Sequence, residues 1–206
     1  MTAHRTPAHF RHVVWEGRFQ PIHRGHVAYV GELLDLADTI TLVVVANETS
    51  DRAPGASPVP DFSRTVDAHH AGERNPWPLW LRHHMVTETL RSAYPARAAD
   101  IRVLAGHRLD LDWSLYQQLL APDRVFAVPL RDDFEDAKAK AWKALGEQVT
   151  RVDVSHLPEV SGTLVRELLA RGEDLDRVLL PRTRELIASY TADLAGAGGR
   201  VVEAIR

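Results

Sequence analysis

Ten residues constrain this chain more than any others: Gly17-Arg18-Phe19-Gln20-Pro21-Ile22-His23-Arg24-Gly25-His26. A short apolar run, Val13-Val14-Trp15, precedes them and an amphipathic run follows. This order predicts a strand, a tight loop and the start of a helix. Two histidines flank a glycine where a helix presents free N–H groups, which favour anions. Gly17 and Gly25 let the backbone approach a ligand closely. Arg18 and Arg24 add positive charge. Such a loop suits a polyphosphate.

The rest of the chain supplies a frame for that loop. Arg24 to Leu36 reads as a helix with Val27, Val30, Leu34 and Ala37 on one face. Thr39 to Ala46 carries a near-continuous β-branched run, as an interior strand of a parallel sheet does. Together they form a βαβ unit, right-handed by rule. Further strands are expected at Ile101 to Ala105, Arg124 to Val128 and Gln148 to Val154. Helices are expected at about Leu79 to Tyr94, Ser114 to Leu120 and Asp136 to Leu145. Another helix opens at Ser161-Gly162-Thr163, with Ser161 or Thr163 as its cap. Leu168 to Leu194 reads as two helices broken around Gly172. Between Asn47 and Asn75 the pattern fails. Pro54, Gly55, Ser57, Pro58 and Pro60 argue against regular structure there. A stretch of roughly 25 aperiodic residues is either a mobile surface insertion or a lid over a site.

Composition removes several classes of function. A net charge of −3 argues against a general nucleic-acid binder. Without cysteine there is no disulfide, thiolate metal site or cysteine nucleophile. His69-His70 and His83-His84 lack a third ligand at zinc spacing, so no protein-held metal is expected. No apolar run is long enough for a bilayer. Met1 to His12 has no signal-peptide core, which predicts a cytoplasmic location. The 206 residues fit one domain: a core over 13–160 with an insertion at 48–73, then 161–195 with the second anion-binding stretch and the C-terminal helices. The oligomeric state is not readable. The apolar tail Val201-Val202 and Ile205 could pair with a second copy, making a homo-oligomer, or dock on its own domain.

The stretch G-R-F-Q-P-I-H-R-G-H resembles the first signature of the nucleotidylyltransferase superfamily, in the form carried by archaeal-type nicotinamide mononucleotide adenylyltransferases. Ser161-Gly162-Thr163-Leu164-Val165-Arg166 resembles its second signature, S-x-T-x-x-R. The resemblance covers about residues 13–190. It implies an α/β, Rossmann-like fold: a five-stranded parallel sheet in the order 3-2-1-4-5, helices on both faces and a C-terminal helical extension. It implies attack by an acceptor oxyanion on the α-phosphorus of a nucleoside triphosphate, with pyrophosphate leaving. His23, His26, Arg18 and Arg166 would then be catalytic. Gly17, Phe19, Gln20, Gly25, Arg74, Ser161, Gly162 and Thr163 would hold the nucleotide and its phosphates. Mg²⁺ would ride on the triphosphate.

The acceptor region departs from the adenylyltransferase pattern. Phe126-Ala127-Val128-Pro129 replaces a family S-G-N-P loop, and Trp80-Leu81 replaces the Gly-Glu of a G-E-R triplet that ends in Arg82. Trp113 matches a tryptophan that stacks on the nicotinamide ring, or else packs at a helix start. The chain is also similar to cytidylyltransferases of phosphonate natural-product pathways. A small trianionic acceptor would want cations at the rim, and Arg82, His107, Arg108 and Arg131 are available, although Asp110 and Asp112 would repel an anion. These departures favour CTP and a small phosphonate over ATP and nicotinamide mononucleotide. A third possibility is a sensing module that binds nucleotide without turnover.

Overall fold

The computed structural model describes residues 9–48, 57–69 and 75–196. Its centre is a parallel five-stranded sheet: β1 (Phe10–Gly17), β2 (Ala37–Val45), β3 (Ile101–Gly106), β4 (Arg124–Leu130) and β5 (Val149–Asp153), in the order β3-β2-β1-β4-β5. The expected order holds. β1 starts three residues before Val13 because Phe10 pairs with Ala37. β4 runs through Pro129 to Leu130, pairing with Val152 and Asp153 of β5.

Side chains alternate between two cores, as a pleated sheet requires. Val13, Trp15, Leu42 and Val44 face one core, with α1 (Arg24–Leu36), α3 (Leu79–Ala93), α6 (Gly162–Arg171) and α7 (Pro181–Gly196). Val14, Val43, Val45, Phe126 and Val128 face the other. That face carries α2 (Pro60–His69), α4 (Trp113–Leu119) and α5 (Asp133–Ala144). Burial of such side chains is worth about 1.5–3 kcal/mol each, so both faces contribute to stability.

Helix α2 corrects the reading of the insertion. Pro60 is its first residue, where the missing N–H costs nothing and the fixed φ suits a helix. Val59, Phe62 and Val66 are buried on the second core. Other boundaries moved for local reasons. α4 begins at Trp113, and α5 begins at Asp133 because Asp132 caps it through Oδ1 to the Glu135 amide, 3.0 Å. The motif helix α6 runs on to Arg171 and ends at Gly172 with φ +65°, a left-handed cap that favours glycine. No helix among the described residues is long and apolar enough to cross a membrane. The apolar tail at Val201 to Ile205 lies outside the described residues.

Candidate active site

At the carboxyl ends of the strands lies a cavity of about 690 Å³. This is the edge where open α/β sheets bind ligands. β1 delivers the glycine-rich loop into it. Phe19 is held at φ +50°, a conformation uncommon for a residue with a side chain. Its ring packs against Trp15 and His26 with centroids 5.1 Å away in each case. Gly17 makes room for that ring: a Cβ there would come within 3.2 Å of it. Gln20 braces the loop. Its Oε1 accepts from the Trp77 amide at 3.2 Å, and its Nε2 donates to the Trp77 carbonyl at 3.2 Å.

The two histidines lock one another. His23 caps α1: its Nδ1 accepts from the His26 amide at 3.3 Å. His26 Nδ1 accepts from the His23 amide at 3.3 Å in return. The rings stack with centroids 3.5 Å apart. A nitrogen that accepts an N–H cannot carry its own proton there. Each neutral ring therefore holds its hydrogen on Nε2. Charging either ring would set N–H against N–H. Burial, reinforced by Arg131, lowers the His23 pKa to about 3. Burial, His23, Arg131 and Lys138 hold His26 well below the usual histidine range. The pair is thus a fixed set of neutral donors at pH 7.

The stretch from Ser161 to Arg166 closes against the histidine loop. Ser161 is the cap of α6, its Oγ accepting from the Leu164 amide at 3.1 Å. Arg166 donates from Nη1 to the Gln20 carbonyl at 2.9 Å and from Nη2 to Thr163 Oγ1 at 3.1 Å. A Cβ on Gly162 would meet the Gln20 carbonyl at 2.7 Å, so only glycine allows this approach. Gly25 is similar, with the Pro158 carbonyl 2.9 Å from a Cβ built there. Two helix N-termini, those of α1 and α6, thus open on one cavity that Arg18 also lines. Arg18 Nη1 donates to Asn75 Oδ1 at 3.4 Å. Arg74 lies outside the described residues.

The acceptor candidates fare differently. Arg82 is fully buried and does not line the cavity. It donates to the carbonyls of Trp77 (3.0 Å), Arg18 (2.5 Å) and Val45 (2.8 Å), tying three segments together. Burial and nearby Arg18 lower its pKa to about 10. Arg108 lines the cavity but is 1% exposed. All five of its N–H donors are engaged: by both Asp110 oxygens, Asp67, and the carbonyls of Glu48 and Ser63. It fastens α2 rather than offering a free charge. Trp113 is 9% exposed and outside the cavity lining. It stacks on Trp142 at 6.2 Å within the second core, so packing is its role. Arg131 alone of the four keeps an exposed side chain in the cavity, paired with Asp132 and Glu135.

The sequence reading missed part of this wall. Phe62 and Val66 of α2 line the cavity with Leu109 and Phe134. The i,i+4 spacing of Phe62 and Val66 is a helical signal, obscured by the neighbouring prolines. Lys138 also lines it, held by Glu16 at 2.9 Å and Glu135 at 3.3 Å. Burial alone would lower the Lys138 pKa, but the two carboxylates outweigh it and push it up to about 12. The Glu135–Lys138 spacing was visible; which face of α5 it occupies was not.

The chain is similar to known proteins. The family described as cytidylyltransferase-like matches residues 14–168. A phosphonoformate cytidylyltransferase from Streptomyces viridochromogenes is 28% identical over 181 residues, 87% of this chain and 92% of that protein. Among solved structures, the nicotinic acid mononucleotide adenylyltransferase of Plasmodium falciparum superposes with a TM-score of 0.55 at 14% identity, over 89% of this chain and 96% of that one. The bifunctional NMN adenylyltransferase/ADP ribose pyrophosphatase of Francisella tularensis gives 0.57 at 12% identity, over 90% of this chain. The chain spans about half of that bifunctional protein, 55%.

Proposed function

The chain belongs to the cytidylyltransferase-like family, and from that premise we propose that it transfers the cytidylyl group of CTP to a small phosphonate. It is a nucleotidyltransferase; the choice of nucleotide and acceptor is what is proposed. A phosphonate oxygen attacks the α-phosphorus. The bond from that phosphorus to the oxygen bridging to the β-phosphorus breaks, and pyrophosphate leaves. The acceptor is already an anion, so no general base is needed. Catalysis rests on fixed donors aimed at developing charge.

The roles follow from position. The Nε2–H groups of His23 and His26 meet the α- and β-phosphates. Arg18 grips phosphate oxygens, and Arg74 is proposed to do the same. The first turn of α6, from Ser161 to Thr163, holds the leaving end. Arg166 neutralises the departing pyrophosphate. Among the described residues no cluster of histidines and carboxylates could hold a metal. Glu16 and Glu135 in the wall are bound to Lys138. Mg²⁺ would ride on the triphosphate, where it would offset phosphate charge.

One observation carries the choice of acceptor. Trp113, which would stack on a nicotinamide ring, is stacked on Trp142 inside the core. The relative from Streptomyces viridochromogenes, named for phosphonoformate, supports the same choice. The test is pyrophosphate release across ATP, CTP, GTP and UTP, with nicotinamide mononucleotide and a set of phosphonates as acceptors. CTP with a small phosphonate is expected to give the highest kcat/KM. Efficient turnover of ATP with nicotinamide mononucleotide would overturn the reading. Nucleotide binding without turnover of any pair would make the protein a sensor.

A further inference from the structure

The insertion helix α2 has a place in the reaction that follows from in-line geometry. α1 and α6, whose N-termini face the phosphates, lie on one side of the sheet. α2 and α5 lie on the other. Pyrophosphate departs toward Arg166 and the start of α6. The attacking oxygen must then come from the opposite side, where Phe62, Val66, Leu109 and Phe134 line the cavity. We infer that α2 forms the acceptor-side wall and that Phe62 sets the largest acceptor the site admits; this rests on the function proposed above.

Two features make the wall a selector. It is tight: the Phe62 ring sits edge-on to Trp142 at 5.5 Å and lies 6.0 Å from Phe134. It is also pinned. Arg108 joins α2 to the β3–α4 connection through Asp67 and the Ser63 carbonyl. Ser63 Oγ donates to Asp110 Oδ2 at 2.6 Å, and Ser57 Oγ donates to the Asp110 carbonyl at 2.6 Å. The bonds to α2 join residues 41 to 47 positions apart, and Arg108 and Asp110 are buried, so the helix cannot swing aside without unpairing a buried arginine and aspartate. A larger acceptor must displace Phe62 itself.

The inference is tested with the full chain, saturating CTP and three acceptors of rising bulk: phosphonoformate, phosphonoacetate and phenylphosphonate. Phe62→Ala is expected to raise kcat/KM for phenylphosphonate relative to phosphonoformate by roughly 10-fold or more, the scale of discrimination that apolar pockets achieve. The change is expected in the acceptor KM, not the CTP KM. Phe62→Trp is expected to move the ratio the other way. Should Phe62→Ala fail to fold by circular dichroism, Phe62→Leu replaces it with a smaller shift in the same direction. A wild type that prefers small phosphonates, with folded variants that leave the ratio unchanged, overturns the wall alone. A wild type that uses nicotinamide mononucleotide as well as phosphonoformate, or no acceptor at all, overturns the function and the wall together.

Discussion

The cavity has two unlike halves. In the proposed phosphate half, beside the charged Arg18 and Arg166, the two neutral rings are set by a short-range contact: His23 and His26 are three residues apart and cap each other. In the proposed acceptor half, beside the apolar wall of Phe62 and Val66, two charged side chains are held by partners far along the chain. Arg108 reaches Asp67 across 41 residues, and Lys138 reaches Glu16 from another element. The first half can be presented unchanged to any nucleoside triphosphate. The second is built from contacts between distant segments, and there specificity can change without disturbing the chemistry.

The sharpest way to break this contrast is His26→Ala. It removes a fixed donor at the proposed α-phosphate position and is expected to cut kcat for pyrophosphate release by about 100- to 1,000-fold, with circular dichroism unchanged. Retained turnover would remove the dyad from the mechanism. Arg108→Met should do the opposite: damage the fold. It leaves Asp110 buried and uncompensated, an expected loss of about 3–5 kcal/mol in urea unfolding. A raised acceptor KM with an unchanged unfolding midpoint would instead make Arg108 a ligand.

A smaller effect concerns protons. His23 titrates near 3 when folded, against an ordinary value of 6.5. Between those values the unfolded chain takes up a proton that the folded chain refuses. The stabilisation is complete above pH 6.5 and is lost as pH falls toward 3. The slope approaches about 1.4 kcal/mol per pH unit for each such histidine, and His26 adds in the same direction. Urea midpoints between about pH 7 and pH 5 should fall less steeply in His23→Asn, which keeps a capping oxygen. Identical slopes would mean that the His23 ring is charged in the fold. The smallest effect is expected from Trp113→Phe: about 1 kcal/mol of stability and no change in acceptor KM. A large rise in that KM would bring Trp113 back into the site.

The phosphate half was legible in the sequence because its information is local. Gly17, His23, Gly25 and His26 sit in one loop between two periodic segments, and Ser161 to Arg166 sit in one helical turn and a half. The strands were legible for the same reason, through runs such as Leu42 to Val45. The acceptor half was not. Arg82 reads as a surface cation, yet its neighbours are carbonyls 37 and 64 residues away. Trp113 could stack on a ligand or on Trp142, and only the packing of α5 decides. Pro60 reads as a breaker where it is a helix start. In each case the residue type was informative about chemistry and silent about its partner.

The bond from Arg166 to the Gln20 carbonyl spans 146 residues. During synthesis the histidine loop emerges early, while the arginine that closes over it arrives only after all five strands. On the roles proposed above, a nascent chain until then lacks the group that would neutralise the departing pyrophosphate. Ligand-linked stabilisation, which grows with occupancy of the finished fold, is therefore withheld from every shorter intermediate. Under the proposed roles, nucleotide rewards completion of the sheet and does not guide its early steps.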